Sequence, residues 1–195
     1  GAEARGRNRL LQNVDIEGTR LLLEEARSAG VGRIILPSRL NANPHSMHAL
    51  LRTKGEVERL VRRSGIPFTI MRTTTLFGRD DRFSEIIFSL ALWSWPLVWL
   101  PGGGKTPMQP LWVEDYVHCL IRTLDQPATL NQTLVLAGNE LIEYRELVKT
   151  ILNVTGKERL MVPMPMTLLK PLARIFLGWW YWPAVSRYFA DRFFV

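Results

Sequence analysis

The chain has 195 residues, 47% of them hydrophobic, with 25 Lys and Arg against 18 Asp and Glu for a formal charge of +7. That supports one domain, or one domain and a small lobe, and a single Cys excludes a fold held by internal disulfides. The positive surplus suits an anionic partner, either an acidic protein surface or anionic lipid. Nucleic acid is not expected, because the basic residues are scattered among carboxylates and form no recognised module.

Residues 1–12 read as an Arg-rich N-terminal arm without the apolar segment of a secretory signal. Asn13 to Ala29 reads as a helix, with Leu21, Leu22, Ala26 and Ala29 as its apolar stripe and Gly30 as its stop. Gly18 inside it costs up to about 1 kcal/mol relative to Ala, so a close helix–sheet approach is expected there. Next comes a unit of three parts: the apolar run Arg33 to Pro37, an amphipathic segment from His48 to Ser64 carrying Lys54, and a second apolar run from Ile66 to Arg72. Two strand-length runs joined by a helix of about four turns describe a βαβ crossover feeding a parallel sheet. Ligands bind at the carboxyl ends of such strands, which puts Ser38 and Thr73 to Thr75 on the functional edge with Lys54 near it.

Arg79, Asp80, Asp81 and Arg82 form a charged knot before a helix from Phe83 to Trp93. Gly102, Gly103 and Gly104 lead into Lys105-Thr106-Pro107 rather than a helix, so they read as a loop and not a phosphate cradle. A short strand is expected at Met108 to Leu111. A helix follows to Leu124, with Glu114 or Asp115 capping it, Val117, Leu120, Ile121 and Leu124 inward, and Cys119 packed as a small apolar residue. Thr133 to Gly138 reads as a strand and Tyr144 to Val154 as a helix. Residues 161–195 read as an amphipathic aromatic tail. In it Leu168, Leu169, Leu172, Ile175, Phe176 and Trp179 share a face, with Lys170, Arg174, Arg187 and Arg192 among the aromatics. Trp93, Trp95 and Trp99 make a second aromatic cluster. Neither of the two most apolar stretches, Ile86 to Leu100 and Met161 to Pro183, is expected to span a bilayer.

A doubly wound dinucleotide fold opens with a strand, a Gly-x-Gly-x-x-Gly turn and a phosphate-binding helix, and no such element stands in this sequence. The chain therefore reads as the second half of that fold. Its Ile34 strand would have an unpaired inner edge, and the first half would lie outside this sequence or on a separate polypeptide.

A strand ending in Ser38 followed by a helix bearing Lys54 resembles the short-chain dehydrogenase/reductase superfamily. Asp15-x-x-Gly18-Thr19 resembles the Asn-x-x-Gly-Thr of its extended members, with Asp in place of Asn. Ser38-Arg39-Leu40-Asn41-Ala42-Asn43, Leu51-Arg52-Thr53-Lys54, Leu76 to Phe83 and Gly104 to Pro110 together resemble the nucleotide-binding accessory subunits of respiratory complex I. These are atypical, catalytically silent members of the superfamily. The similarity runs from about Asp15 to about Pro171.

This resemblance implies an α/β, Rossmann-like second half over residues 13–160 with a small C-terminal lobe. It implies a non-catalytic accessory subunit of mitochondrial complex I, peripheral on the matrix side of the inner membrane. NADPH would be a structural ligand, with Ser38, Lys54, Thr73 and Thr74 at its nicotinamide end. Other subunits of the complex, phospholipid at the tail and a separate chain supplying the missing half are the implied partners.

The superfamily's reductase chemistry needs a Tyr four positions before the Lys, and Leu50 stands there; Leu40 stands near the usual second hydroxyl. His48 and Thr53 are rotated away from the Lys54 face of the helix. Two rival readings remain, an active NAD(P)-dependent atypical reductase or epimerase and an assembly factor for a membrane photosynthetic complex.

Overall fold

The structure, a computed structural model, describes residues 11–93, 95–165 and 167. In chain order, a π-helical turn (Leu11–Glu17) runs into α1 (Gly18–Ser28), followed by β1 (Ile34–Arg39), α2 (Ala49–Arg63), β2 (Phe68–Thr73) and β3 (Leu76–Phe77). Then come α3 (Arg82–Trp93), β4 (Leu97–Pro101), β5 (Pro107–Met108), β6 (Leu111–Trp112) and α4 (Val113–Leu124). The series closes with β7 (Gln132–Leu136), β8 (Ile142–Glu143), α5 (Tyr144–Val154) and β9 (Leu160–Met164). Where the sequence suggests one domain over 13–160, the contacts divide the chain into two compact units. One holds the chain up to Thr74 together with Val113–Ala137, and the other holds Thr75–Trp112 and the chain from Gly138.

The first unit contains the expected βαβ crossover. β1 and β2 are parallel, with Ile34 opposite Phe68 and Arg39 opposite Thr73, and β7 adds in parallel on the far side of β2. Leu23, Val61, Phe68 and Ile70 form the core between helices and sheet, flanked by Ile34, Leu36 and Leu60. Each such side chain contributes about 1.5–3 kcal/mol when buried. α2 lies close over the Asn43–Pro44 turn because Gly55 has no side chain. A Cβ there would stand 2.3 Å from the Asn43 carbonyl carbon and the Pro44 nitrogen.

Among the described residues β1 pairs only with β2, so its other edge is open. The Ile34 and Leu40 amides donate toward β2, to the Pro67 and Thr73 carbonyls. Alternation then points residues 35, 37 and 39 outward, and Pro37 in the middle has no amide to offer.

Three expectations are corrected in this unit. On α1 the buried residue is Leu23, while Leu21 and Leu22 are 62% and 61% exposed. Leucines at three successive positions cannot share one face. Gly18 opens α1 with only the Asn13 carbonyl oxygen, 3.9 Å away, near its would-be Cβ, so the close approach belongs to Gly55 instead. α4 turns Tyr116 and Thr123 inward with Leu120 half-buried, leaving Val117, Ile121, Leu124 and Cys119 exposed. That helix carries two adjacent apolar strips, and Arg33 selects between them. Its guanidinium donates to the Thr123 carbonyl at 2.5 Å and to the Thr69 hydroxyl at 2.6 Å, which fixes the end of α4 against the start of β1.

The second unit has its own core of Phe83, Ile87, Val98, Leu100, Met108, Tyr144, Val148 and Leu152. β4 and β9 pair in parallel, β3 pairs with β6, and β5 pairs antiparallel with β8. The strand expected over Met108–Leu111 is split by Gln109 and Pro110. Gly138 sits so close to Pro110 that a Cβ there would be 1.9 Å from its carbonyl oxygen. Asp81 from the charged knot caps α3, accepting the Ser84 amide at 2.7 Å and the Gly78 amide at 3.1 Å. Arg79 and Asp80 form an outlying pair at 3.8 Å on the surface. α5 has the expected bounds and a capping box of Glu143 and Glu146. Gly102–Gly104 form a 3-10 turn with positive φ throughout, and no α-helix starts there. Trp95 and Trp99 are exposed.

Of the tail expected over 161–195, residues 161–164 belong instead to β9, paired with β4 in the second unit, and from Leu168 onward it lies outside the described residues. Among those described, no helix is long and apolar enough to cross a membrane.

Candidate ligand-binding site

At the carboxyl end of β1 the π-helical turn, α1 and α2 enclose a cleft of about 160 Å³. Asp15, Thr19, Leu36, Pro37, Ser38 and Lys54 line it. The βαβ geometry brings Ser38 and Lys54 together as expected: Ser38 ends a strand, and Lys54 sits in the second turn of the helix that follows. Lys54 Nζ lies 3.5 Å from Asp15 Oδ2, with the two side chains 27% and 20% exposed. Thr19 donates its hydroxyl back to the Asp15 carbonyl, an i to i−4 bond that braces the junction of the π turn with α1.

Ser38 is buried, and its hydroxyl donates to Glu58 Oε1 at 2.6 Å. Toward the cleft it offers an acceptor rather than a proton. Glu58, 3% exposed, also accepts from Arg72 Nε at 2.9 Å, Arg72 Nη2 at 2.7 Å and Arg62 Nη2 at 3.3 Å. Burial pushes the Glu58 carboxyl upward. The hydrogen bonds from Arg72 and Ser38, with the Arg72 charge and Arg62, outweigh it and hold the group below the usual carboxylate range. Its hydrogen bonds to Glu58 push the Arg72 guanidinium up in turn. Arg72 Nη2 also reaches the Ala42 carbonyl at 3.0 Å, tying the Leu40–Asn43 turn to the same group.

Thr73 stands one strand over from the cleft. It is buried, with its hydroxyl 3.4 Å from the Ser38 carbonyl. Thr74 follows β2, and its amide donates to the Leu136 carbonyl at 3.2 Å. Of the four residues singled out by sequence, Ser38 and Lys54 therefore share the cleft. Thr73 supports Ser38 from behind, and Thr74 joins the β7 side of the sheet.

Leu50, one turn before Lys54, is 2% exposed and belongs to the core. The reductase phenol position is thus filled by packed hydrocarbon. Tyr116, on α4, has a buried hydroxyl with no hydrogen-bond partner among the described residues. Burial raises its pKa, which keeps the phenol protonated.

Sequence reasoning missed Asp15 as the counter-ion of Lys54, and it missed the Ser38–Glu58–Arg72 group altogether. A signal for the second was present, since Glu58 falls between Val57 and Val61 on a helix whose buried face is otherwise uncharged. An acid at such a position needs a cation from the sheet, and Arg72 is the charged residue of β2.

No family model matches the chain. It is 30% identical over 180 residues to a mouse protein, "NADH dehydrogenase [ubiquinone] 1 alpha subcomplex subunit 9, mitochondrial", covering 90% of this chain and 46% of that protein. The Neurospora crassa "NADH-ubiquinone oxidoreductase 40 kDa subunit, mitochondrial" is 28% identical, covering 92% of this chain and 47% of that protein. A "Photosystem II assembly factor Ycf39" from Trieres chinensis is 25% identical over 88% of the chain. The chain spans about half the length of the curated relatives it matches.

Among solved structures, a nucleoside-diphosphate-sugar epimerase from Staphylococcus aureus superposes with a TM-score of 0.69 at 18% identity, covering 90% of this chain and 59% of that one. The UDP-glucuronic acid 4-epimerase from Bacillus cereus in complex with NAD gives 0.66 at 17% identity, covering 77% and 56%. These likenesses give the fold, a Rossmann-like α/β architecture. The resemblance read from the motifs agrees with the relatives.

Proposed function

We propose that this chain, a relative of the complex I accessory subunits built on the reductase fold, works as a non-catalytic structural subunit of the mitochondrial NADH:ubiquinone oxidoreductase. The observation that carries the non-catalytic part is Leu50, packed in the core one helical turn before Lys54 where proton transfer to a carbonyl needs a phenol. A protonated donor is not supplied nearby by Ser38 either, because its proton is engaged by Glu58. The similarity over nine-tenths of the chain supports the choice of complex. The photosystem assembly reading rests on lower identity, and no separate structural feature favours it.

On this reading the protein is peripheral on the matrix side of the inner membrane. The basic residues Lys170, Arg174, Arg187 and Arg192 would face acidic subunits or phospholipid headgroups. NADPH would be a structural ligand meeting this chain at its nicotinamide end, near Ser38, Lys54, Thr73 and Thr74. Its pyrophosphate would rest on a Gly-rich turn outside this sequence, in a layer added along the open edge of β1.

The test is native electrophoresis of mitochondrial membranes from cells expressing the tagged natural protein, followed by in-gel NADH oxidation. Co-migration with the active complex is expected, and nucleotide released from the purified complex should contain NADPH. Migration apart from that complex would overturn the assignment. NAD(P)H-dependent turnover lost on His48→Ala would overturn the non-catalytic reading.

A further inference from the structure

The ribbon formed by β4 and β9 is apolar on both faces. Side chains two apart along a strand, and those opposite one another across a parallel pair, share a face. Val98 and Leu100 are buried in the core of the second unit, with Met161 packed against it. Leu97 and Trp99, with their register partners Leu160 and Val162, then form the opposite face. Leu97 and Val162 are half-buried, whereas Trp99 is 49% exposed, Leu160 66%, and Trp95, just before β4, 73%. The Leu160 amide donates to the Pro96 carbonyl at 3.1 Å, which ties the start of β9 to the residue beside Trp95. Neither strand carries a charged residue. Cations flank both in the chain: Lys157 and Arg159, with Glu158 between them, lead into β9, and Lys105 follows β4 after the Gly102–Gly104 turn. Beyond β9 the sequence of residues 166–195 sets Lys170, Arg174, Arg187 and Arg192 against Asp191 alone.

We propose that this outer face of the β4–β9 ribbon docks on the surface of an anionic phospholipid bilayer. An indole joins an apolar ring to one N–H donor, so it is most stable where acyl chains meet headgroups. Trp95 and Trp99 offer that chemistry at the start and the middle of one strand. Leu97, Leu160 and Val162 add aliphatic area that leaves water when the face is covered. The flanking cations decide between lipid and an apolar protein partner. A protein core would have to desolvate them, whereas headgroup phosphates attract them within a Debye length. Apolar area bordered by Lys and Arg is the combination by which peripheral segments hold to anionic membranes. The inference rests on the membrane-peripheral reading above and names the face that meets the lipid.

The full chain, labelled with fluorotryptophan, is titrated with phosphatidylcholine vesicles, with and without about a quarter phosphatidylglycerol. Trp95→Phe and Trp99→Phe assign the two fluorine resonances. A nitroxide lipid in the anionic vesicles should broaden both, and affinity for vesicles of phosphatidylcholine alone should be lower by about tenfold or more. Trp95→Ser combined with Trp99→Ser should weaken binding to the anionic vesicles by a similar factor at an unchanged thermal midpoint. Leu160→Ser, on the same face, is the second variant should that pair fold poorly. A chain that ignores anionic vesicles, or binds them with both resonances unbroadened, overturns the proposal. So does protection of both indoles from a water-soluble nitroxide in the lipid-free chain, since residues 166–195 or a second copy would then already cover the face. Lipid binding through these indoles by a chain that migrates apart from the active complex removes the complex I assignment and leaves this inference standing. Co-migration with unbroadened indoles does the reverse.

Discussion

Replacing Arg72 by Met tests whether the buried Glu58 carboxylate of α2 holds the first unit together. The substitution keeps the hydrocarbon stem and removes the bonds to Glu58 at 2.9 and 2.7 Å. Glu58, 3% exposed, would retain Ser38 at 2.6 Å and Arg62 at 3.3 Å. Breaking a buried pair from one side removes about 3–5 kcal/mol, because the orphaned charge stays in a poor solvent. Arg72 is 27% exposed and Arg62 40%, so water and the second guanidinium soften the loss. About 3 kcal/mol is the expected figure, at the low end of that range. With a urea m-value near 2 kcal/mol/M, the midpoint should fall by about 1.5 M.

The pH dependence supplies an independent check. The Glu58 carboxyl is held below its ordinary value of 4.5 when folded, so its contribution is present above that value. The contribution fades as pH falls through the depressed folded pKa. The gap between wild type and variant should therefore be widest near neutrality and narrow in acid below 4.5. A loss under about 1 kcal/mol at pH 7, in the range of exposed pairs, would refute the buried-pair account. A gap that is the same at pH 7 and pH 3 would refute it too.

Gly55→Ala should destabilise the chain by about 1–3 kcal/mol, since the new methyl meets backbone of Asn43 and Pro44 at 2.3 Å, and an unchanged thermal midpoint would contradict that contact. Tyr116→Phe removes a buried hydroxyl with no partner among the described residues and should leave stability equal or raise it by about 1 kcal/mol; a clear loss in urea would mean the phenol has a partner. Asp81→Ala deletes the side chain that caps α3 and should cost about 1 kcal/mol, while Asp81→Asn should recover most of it, both read by denaturation.

The crossover from β1 to β2 was legible because its two apolar runs and its helix differ in period, and only one handed connection joins parallel neighbours. α5 was legible to its last residue because Glu143 and Glu146 mark its start and apolar spacing continues to Val154. The inward faces of α1 and α4 were not. Each helix has more apolar residues than one face can bury, and the choice was made by partners distant in sequence, Val61 and Phe68 for Leu23 and Arg33 for α4. Lys54 and Ser38 were legible as a pair from strand and helix spacing. What occupies them was not, because Glu58 and Asp15 reach them only through the folded packing.

The missing amide on the outer edge of β1 bears on how the protein behaves on its own. An open, flat strand ordinarily invites any extended peptide to zip onto it, which is how sheets grow into aggregates. Here, among the described residues, Pro37 stands in the middle of the outward row, so an arbitrary strand gains a broken ladder and a clash with the pyrrolidine ring. A strand evolved for this edge loses little, since it can direct the carbonyl opposite Pro37 elsewhere and still dock its side chains. β1 thus discriminates by register, tolerating a matched neighbour while discouraging copies of itself.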